Sequence, residues 1–165
     1  MFFKSTTPKQ NATLSTKDRI ELFLKQNSAQ YEYENNIYRL YINGKKTTWR
    51  LAIIIDEERK TLVIRSLYPF MVTDSKKSKV AELIVRLNSN ILLGCFNMDY
   101  VEGALTFNTA HFWGNTEIDN DTIERLFFTQ IHTVDDMFEL FAEVNFGEGE
   151  PALLALQLEE GDENQ

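Results

Sequence analysis

The sequence predicts a single α+β domain in which helices pack against an antiparallel sheet. Its 165 residues, 43% of them hydrophobic, are enough for one core, since single domains usually hold about 100–200 residues. Apolar side chains follow a helical period first, alternate in the middle of the chain, and return to a helical period near the end. Short polar turns between the alternating segments favour antiparallel neighbours. We therefore expect the order αβββαββα with a five-stranded antiparallel sheet packed with helices.

A polar arm and an acidic tail flank the predicted domain. Residues 1–13 are polar and of mixed charge, which is typical of a flexible N-terminal arm, and the domain is expected over 14–146. The C-terminal tail, 147–165, holds six acidic residues and no basic ones, whereas residues 1–50 hold nine basic and four acidic residues. This asymmetry fits a solvated tail, and it also allows docking of the tail on the basic part of the chain or on another subunit.

The first element is a helix that begins after Ser15. Ser15 is placed as the N-cap, and Asp18 stands three residues later as its capping-box partner. Apolar residues then follow at helical spacing, and the helix is expected to end at about Gln26 or Asn27. It should bury one apolar face.

Three strands follow as a meander. They are expected at 31–42, 49–55 and 61–68, where β-branched and aromatic residues are frequent. Asn35-Asn36 indicates a bend or bulge inside the first strand. Asn43-Gly44 suits the positive φ angles of a two-residue type I′ hairpin turn. Pro69 cannot donate a ladder hydrogen bond, so the chain is expected to leave the sheet there.

A second helix, a hairpin and a helical region complete the chain. These elements are expected at 76–88, 92–100, 104–109 and 121–145. Asp119-Asn120-Asp121 is placed to cap the last stretch. That stretch is one kinked helix or two, since Thr133-Val134-Asp135-Asp136 resembles a second capping box. The apolar segment 151–158 is too short to assign as helix or strand.

No familiar catalytic constellation is present in the sequence. A nucleophilic Cys95 would need His111 or His132, and it lies in an apolar-flanked strand where a buried, inert thiol is the usual case. These three residues lack the spacing of a zinc site, and 119–121 imitates a calcium loop without its glycine. The scattered glycines form no phosphate-binding loop. We expect a non-enzymatic protein without catalytic residues, metal, cofactor or small-molecule substrate.

Two basic clusters are candidate interaction sites. They are Lys45, Lys46 and Arg50 in the first hairpin and Lys76, Lys77 and Lys79 at the start of the second helix. A pI of about 4.8 disfavours nucleic acid, because acidic surface would repel phosphate. The simpler interpretation is a solvated turn and helix face. Three lysines at a helix N-terminus nevertheless oppose the helix dipole, which sometimes marks an interaction surface.

The expected location is the cytoplasm. No apolar run is long enough to cross a bilayer, and the first residues lack the apolar segment of a signal peptide. A single cysteine agrees with a reducing compartment. No membrane contact is expected.

Three segments in the middle of the chain form a recognisable pattern: VAELIVRLN at 80–88, LLGCFNMD at 92–99 and EGALTF at 102–107. On this pattern, about 15–145 resembles the YbjN family of bacterial proteins. The family is described as sensory transduction regulators, and its fold is similar to that of type III secretion chaperones. Such chaperones are usually homodimers that hold extended segments of partner proteins. The resemblance transfers no catalytic residue.

The sequence thus predicts a protein-binding module. We expect a homodimeric regulator or chaperone-like adaptor in bacterial signalling or stress, whose protein partner the sequence does not identify. The expected contact residues are Trp49 and Phe107 on a sheet face and Lys76, Lys77 and Lys79 on the second helix. Two alternatives stay open: a nucleic-acid-associated regulator, and an enzyme with no recognisable motif.

Overall fold

The computed structural model describes residues 14–162, with side chains to 158, and the predicted N-terminal arm lies outside this range. The helices are α1 (Thr16–Gln26), α2 (Lys77–Asn90), α3 (Asn120–Asp136), α4 (Phe138–Phe146) and α5 (Pro151–Asp162). The strands are β1 (Glu32–Glu34), β2 (Ile37–Asn43), β3 (Thr48–Asp56), β4 (Thr61–Met71), β5 (Cys95–Met98) and β6 (Ala104–Phe112). A 3-10 turn at Asp74–Lys76 leads into α2.

The six strands form one antiparallel sheet in the order β1-β2-β3-β4-β6-β5. The buried side chains of the strands lie on one face of this sheet, and the helices pack there. This arrangement confirms the predicted α+β class and the antiparallel sheet. No helix in the described part of the chain is long and apolar enough to cross a bilayer.

The sheet has one strand more than predicted because Asn35 and Asn36 form a turn and not a bend. Both residues have positive φ, at 52° and 62°, and their neighbours Glu34 and Ile37 pair directly. Asparagine tolerates the left-handed region that a type I′ turn requires at both central positions. The predicted first strand is therefore a β1–β2 hairpin.

The type I′ turn predicted at Asn43-Gly44 is wrong. Asn43 pairs with Thr48, so four residues connect β2 to β3, and the Gly44 N–H donates to the Thr47 carbonyl at 2.8 Å. Gly44 does not have a positive φ. A Cβ at Gly44 would lie 2.1 Å from Asp135 Oδ1, so glycine is required here for close approach.

Strand β4 also continues past Pro69, where it was predicted to end. The pairing with β6 is regular up to Leu67, becomes irregular, and resumes at Met71. Pro69 falls within the irregular stretch, where no ladder hydrogen bond is needed from its nitrogen.

The core between sheet and helices is rich in aromatic side chains. The largest fully buried ones are Trp49, Tyr38, Phe96, Phe107, Phe127 and Phe141. The Trp49 indole N–H donates to Ser66 Oγ at 2.9 Å, and the hydroxyl of Tyr68, also buried in the core, donates to the Val134 carbonyl at 3.0 Å. Burial raises the pKa of Tyr68 well above 10.0, so this hydroxyl stays a donor.

The starts of α1 and α3 follow the predicted capping residues. The second capping box predicted at 133–136 does not form, because these residues end α3, and α4 begins after Met137 without a side-chain cap. Ser15 caps α1, and Asp18 returns the reciprocal hydrogen bond of the capping box. Asp119 caps α3 by accepting from the Thr122 N–H at 2.6 Å, which confirms the predicted cap. The region 121–145 forms two helices that meet at Met137.

Residues 151–158, unassigned from the sequence, belong to α5. This helix packs on α2 and buries Ala155. The acidic segment predicted as a tail at 147–165 therefore contains a helix. The domain boundaries themselves stay a prediction.

Candidate functional site

The sheet face opposite the helices is covered by no described element. Its side chains are exposed or half-buried, while their neighbours along each strand are buried. We call this surface the open face. Its central residues are Arg39 and Tyr41 on β2, Arg50 and Ala52 on β3, and Arg65 and Leu67 on β4.

Strand register arranges these six side chains in two rows. Arg39 pairs with Ala52, which pairs with Arg65. Tyr41 pairs with Arg50, which pairs with Leu67 in the adjacent row. Directly opposed side chains have Cβ atoms about 5 Å apart. Three arginines therefore surround the small side chain of Ala52.

A depression of about 640 Å³ lies over this array. The six residues line it together with the edge residues Gln30, Tyr31 and Glu32. Tyr41 is 68% exposed, and Leu67 is half-buried. The depression thus places a basic cluster beside an aromatic and an aliphatic surface.

The arginines are only partly paired within the chain. Arg65 Nε donates to Asn108 Oδ1 at 2.7 Å, and an Arg39 guanidinium nitrogen lies 3.9 Å from a carboxylate oxygen of Glu34. Arg50 has no ion pair with any described residue. Two carboxylates lie beside Arg39: Glu34, and Glu32, which is the partner of Arg39 on β1. The cluster is positive in a chain whose net charge is −8.

Asp135 holds the β2–β3 loop, which connects the two strands that carry Arg39, Tyr41, Arg50 and Ala52. Its buried carboxylate accepts from the backbone N–H groups of Lys45 and Lys46, both at 2.9 Å, and of Thr47 at 3.4 Å. The sequence interpretation assigned Asp135 to a capping box. Its contacts span 88 to 90 residues of sequence, so local pattern gives no signal for them.

Lys46 adds a second contact between this loop and the helices. Its ammonium donates to Glu139 Oε2 at 2.8 Å, and this hydrogen bond raises the pKa of Lys46. The Lys46–Glu139 pair is exposed, so it stabilises the position of the loop less than the buried carboxylate of Asp135 does.

Trp49 and Phe107 do not lie on the open face. They are 1% and 0% exposed and face the helices, because side chains alternate along a strand and the large apolar set is the buried one. This corrects the expected contact surface. The open face carries their neighbours, Arg50 beside Trp49 and Asn108 beside Phe107.

The three lysines at the start of α2, Lys76, Lys77 and Lys79, contact other parts of the same chain. Lys76 donates to the Gly147 carbonyl at 2.7 Å, and Lys79 lies 2.6 Å from Glu150 Oε1. These contacts connect α2 to the start of the acidic segment. Their role in contacting a partner stays a prediction.

Lys77 is buried at the start of α2. It donates to the Val101 carbonyl at 2.8 Å and lies 2.6 Å from Asp74 Oδ1. The hydrogen bond from Lys77 lowers the pKa of Asp74. Burial leaves this lysine little surface for an external ligand.

The residues considered for catalysis are not brought together. Cys95 pairs with Asn108 and is exposed because its side chain lies on the uncovered open face, which corrects the expected buried thiol. His111 lies three residues beyond Asn108 and so faces the other side of the sheet. His132 is exposed on α3 and stacks on Phe128. The described residues include no group of three His, Cys, Asp or Glu placed to hold a metal.

Comparison with known families identifies the chain. The YbjN family model, described as "Putative bacterial sensory transduction regulator", matches residues 16–143. This chain belongs to the YbjN family. The match includes α1 and the whole sheet, and it stops before α5. The similarity inferred from the sequence is confirmed. None of the curated proteins matches the chain.

A solved structure shares the fold of this YbjN protein. A chain of the HopA1–SchA chaperone–effector complex matches it with a TM-score of 0.50 and 13% sequence identity. The match covers 76% of this chain and 94% of that chain. The fold is therefore type III secretion chaperone-like, as predicted.

Proposed function

We propose that this YbjN protein is a non-enzymatic protein-binding module of the cytoplasm, a homodimeric regulator or chaperone-like adaptor in bacterial signalling or stress. The observation that carries the proposal is the open face of the sheet, which joins exposed aromatic, aliphatic and arginine side chains in one depression. A segment of a partner protein binds there.

The composition of the open face supports protein binding. Tyrosine and arginine are enriched among the residues that dominate protein interfaces. Burying an aliphatic or aromatic side chain such as that of Tyr41 or Leu67 contributes about 1.5–3 kcal/mol when it leaves water completely. Half-buried Ile54 and Val63 form a second apolar area in the row beyond Arg39, Ala52 and Arg65.

The family and the fold agree with this role. The family description names a regulator, and the structural neighbour comes from a chaperone–effector complex. The separation of Cys95 from His111 gives no support for the enzyme alternative.

Partner capture by variants of the open face tests the binding surface. Tyr41→Ala with Leu67→Ala removes the apolar part, and Tyr100→Ala with Val101→Ala removes similar exposed groups at the β5–β6 turn. We expect the first double variant to lose the proteins captured by the wild type and the second to retain them. Equal capture by the wild type and the open-face variant would contradict the proposal.

Light scattering after size exclusion tests the homodimer. We expect the mass of a dimer in the concentration range of tens of micromolar. A constant monomer mass over that range removes the homodimer from the proposal and leaves the binding surface to the capture experiment.

A further inference from the structure

We propose that the arginine cluster of the open face, Arg39, Arg50 and Arg65, binds an acidic segment of the protein partner. The inference rests on the proposed protein-binding function and specifies the chemistry of the segment. The segment carries carboxylates for the guanidinium groups and an apolar side chain for the adjoining part of the depression.

The geometry of the cluster suits carboxylates. Arg39 and Arg65 flank Ala52 in one row, and Arg50 lies two residues from Ala52 on the same strand. Their side chains rise around a small residue, which leaves space for a ligand between them. Each guanidinium presents a planar fork of donors that matches a carboxylate.

The donors of the cluster are available. The Arg65 hydrogen bond to Asn108 uses Nε and leaves the terminal nitrogens to other acceptors. The contact of Arg39 with Glu34 is 3.9 Å long, and the side chain of Glu34 is largely exposed, so a ligand can replace it at small cost. Arg50 forms no ion pair with any described residue. Glu32, which lies opposite Arg39 and lines the depression, forms none with a described residue either.

The second row of the open face, Tyr41, Arg50 and Leu67, favours an apolar side chain in the bound segment. Tyr41 and Leu67 lie on either side of Arg50 and line the same depression. An apolar side chain next to an acidic one can contact these two residues while its neighbour reaches Arg50. Alternating acidic and apolar residues in an extended segment satisfy both rows.

Charge distribution favours an acidic protein segment over a nucleic acid. The chain carries 25 acidic and 17 basic residues, so a long polyanion meets repulsion beyond the depression. A short peptide contacts the cluster alone. The acidic residues Glu148 and Glu150 of this chain are already held near Lys76, just before α2, and Lys79 on α2.

Fluorescence anisotropy with a labelled peptide in which glutamate alternates with leucine tests the inference. We expect binding to the full chain at low salt and loss of affinity in the triple variant Arg39→Gln, Arg50→Gln, Arg65→Gln. An exposed ion pair changes affinity by roughly threefold, so the triple variant should bind about thirtyfold more weakly. The single variant Arg50→Gln should bind about threefold more weakly.

A matched triple variant controls for net charge. Arg59→Gln, Arg86→Gln and Arg125→Gln remove the same charge from exposed positions outside the depression. In about 0.1 M salt we expect this control to change affinity by less than about twofold, because exposed charges more than about 10 Å apart are largely screened at that ionic strength. Circular dichroism shows whether each variant is folded. If the triple variant of the cluster does not fold, the single variant Arg50→Gln takes its place in the comparison.

Three results would overturn the inference. The first is absence of peptide binding by the wild type at low salt. The second is equal weakening by both triple variants. The third is binding of a single-stranded oligothymidine as tightly as the peptide, with the same dependence on the cluster. If capture of the partner still depends on Tyr41 and Leu67 in any of these cases, the proposed function stands without the acidic segment.

Discussion

Replacing Asp135 with asparagine tests whether its carboxylate fixes the β2–β3 loop. The variant keeps the shape of the side chain but turns an amide donor toward backbone donors. Hydrogen bonds to a charged acceptor contribute about 1.5–3 kcal/mol each, and two N–H groups lie at 2.9 Å. Because the loop is exposed, water can accept hydrogen bonds from these N–H groups in the variant and offset part of the lost stabilisation. We therefore expect a loss of about 3 kcal/mol in the free energy of unfolding.

The assay is urea and thermal unfolding followed by circular dichroism. For a chain of this length, about 3 kcal/mol lowers Tm by roughly 6–12 °C. Asp136→Asn is the matched control, since this neighbour is exposed, and it should stay within about 0.5 kcal/mol of the wild type. The reasoning fails if Asp135→Asn falls in the same range as the control.

A second variant addresses the same contact from the loop side. An added methyl in Gly44→Ala meets Asp135 Oδ1 at 2.1 Å and the Trp49 ring at 2.6 Å, so the loop must shift. We expect a loss of about 1–3 kcal/mol, as for overpacking in a core. Combined with Asp135→Ala, the two losses should be less than additive because they share one contact. Strictly additive losses in the double-mutant cycle would show that the two residues do not interact.

Three further predictions concern the core, the cap of α3 and the acidic segment. Ser66→Ala leaves the indole N–H of Trp49 without its acceptor and should lower the free energy of unfolding, measured in urea, by about 1–3 kcal/mol. An unchanged free energy of unfolding would show that this hydrogen bond does not stabilise the core. The Thr122 N–H lowers the pKa of Asp119 below 3.8, so its stabilising effect is present above the unfolded pKa and is lost as pH falls through the folded pKa. Asp119→Asn should reduce stability at neutral pH and flatten its decline below about pH 4, and identical acid slopes in urea titrations would contradict this. Lys79→Gln should speed proteolysis near Glu150 at low salt, with little difference from the wild type at high salt; equal rates at low salt would show that the pair does not hold the segment.

Local patterns were sufficient for most of the fold. The α1 capping box and its end at Gln26 follow from side chains within a few residues of each other. The same holds for α2 and for the Asp119 cap. The extra strand β1 could not be assigned, because Asn35-Asn36 fits both a bulge and a turn. Only pairing of Glu34 with Ile37 decides between them.

Alternation along β3 predicted two faces of the sheet but not which one is covered. Trp49 and Arg50 are adjacent, and the helices cover the face that bears the tryptophan. Burying unpaired arginine destabilises the fold, whereas burying apolar side chains stabilises it. Applied to Arg39, Arg50 and Arg65, this consideration indicates the open face from sequence, although it does not bring the three residues together.

The register between β2 and β3 brings the arginines together, and it depends on the loop. A two-residue turn at Asn43-Gly44 would place Arg39 opposite Thr48. The observed four-residue loop pairs Arg39 with Ala52 and thereby with Arg65 in the next strand. The longer loop is stabilised by the carboxylate of Asp135, which is distant in sequence and accepts hydrogen bonds from the backbone N–H groups of the loop. The arginine cluster therefore depends on a contact between α3 and the hairpin, and a sequence pattern confined to the strands cannot predict it.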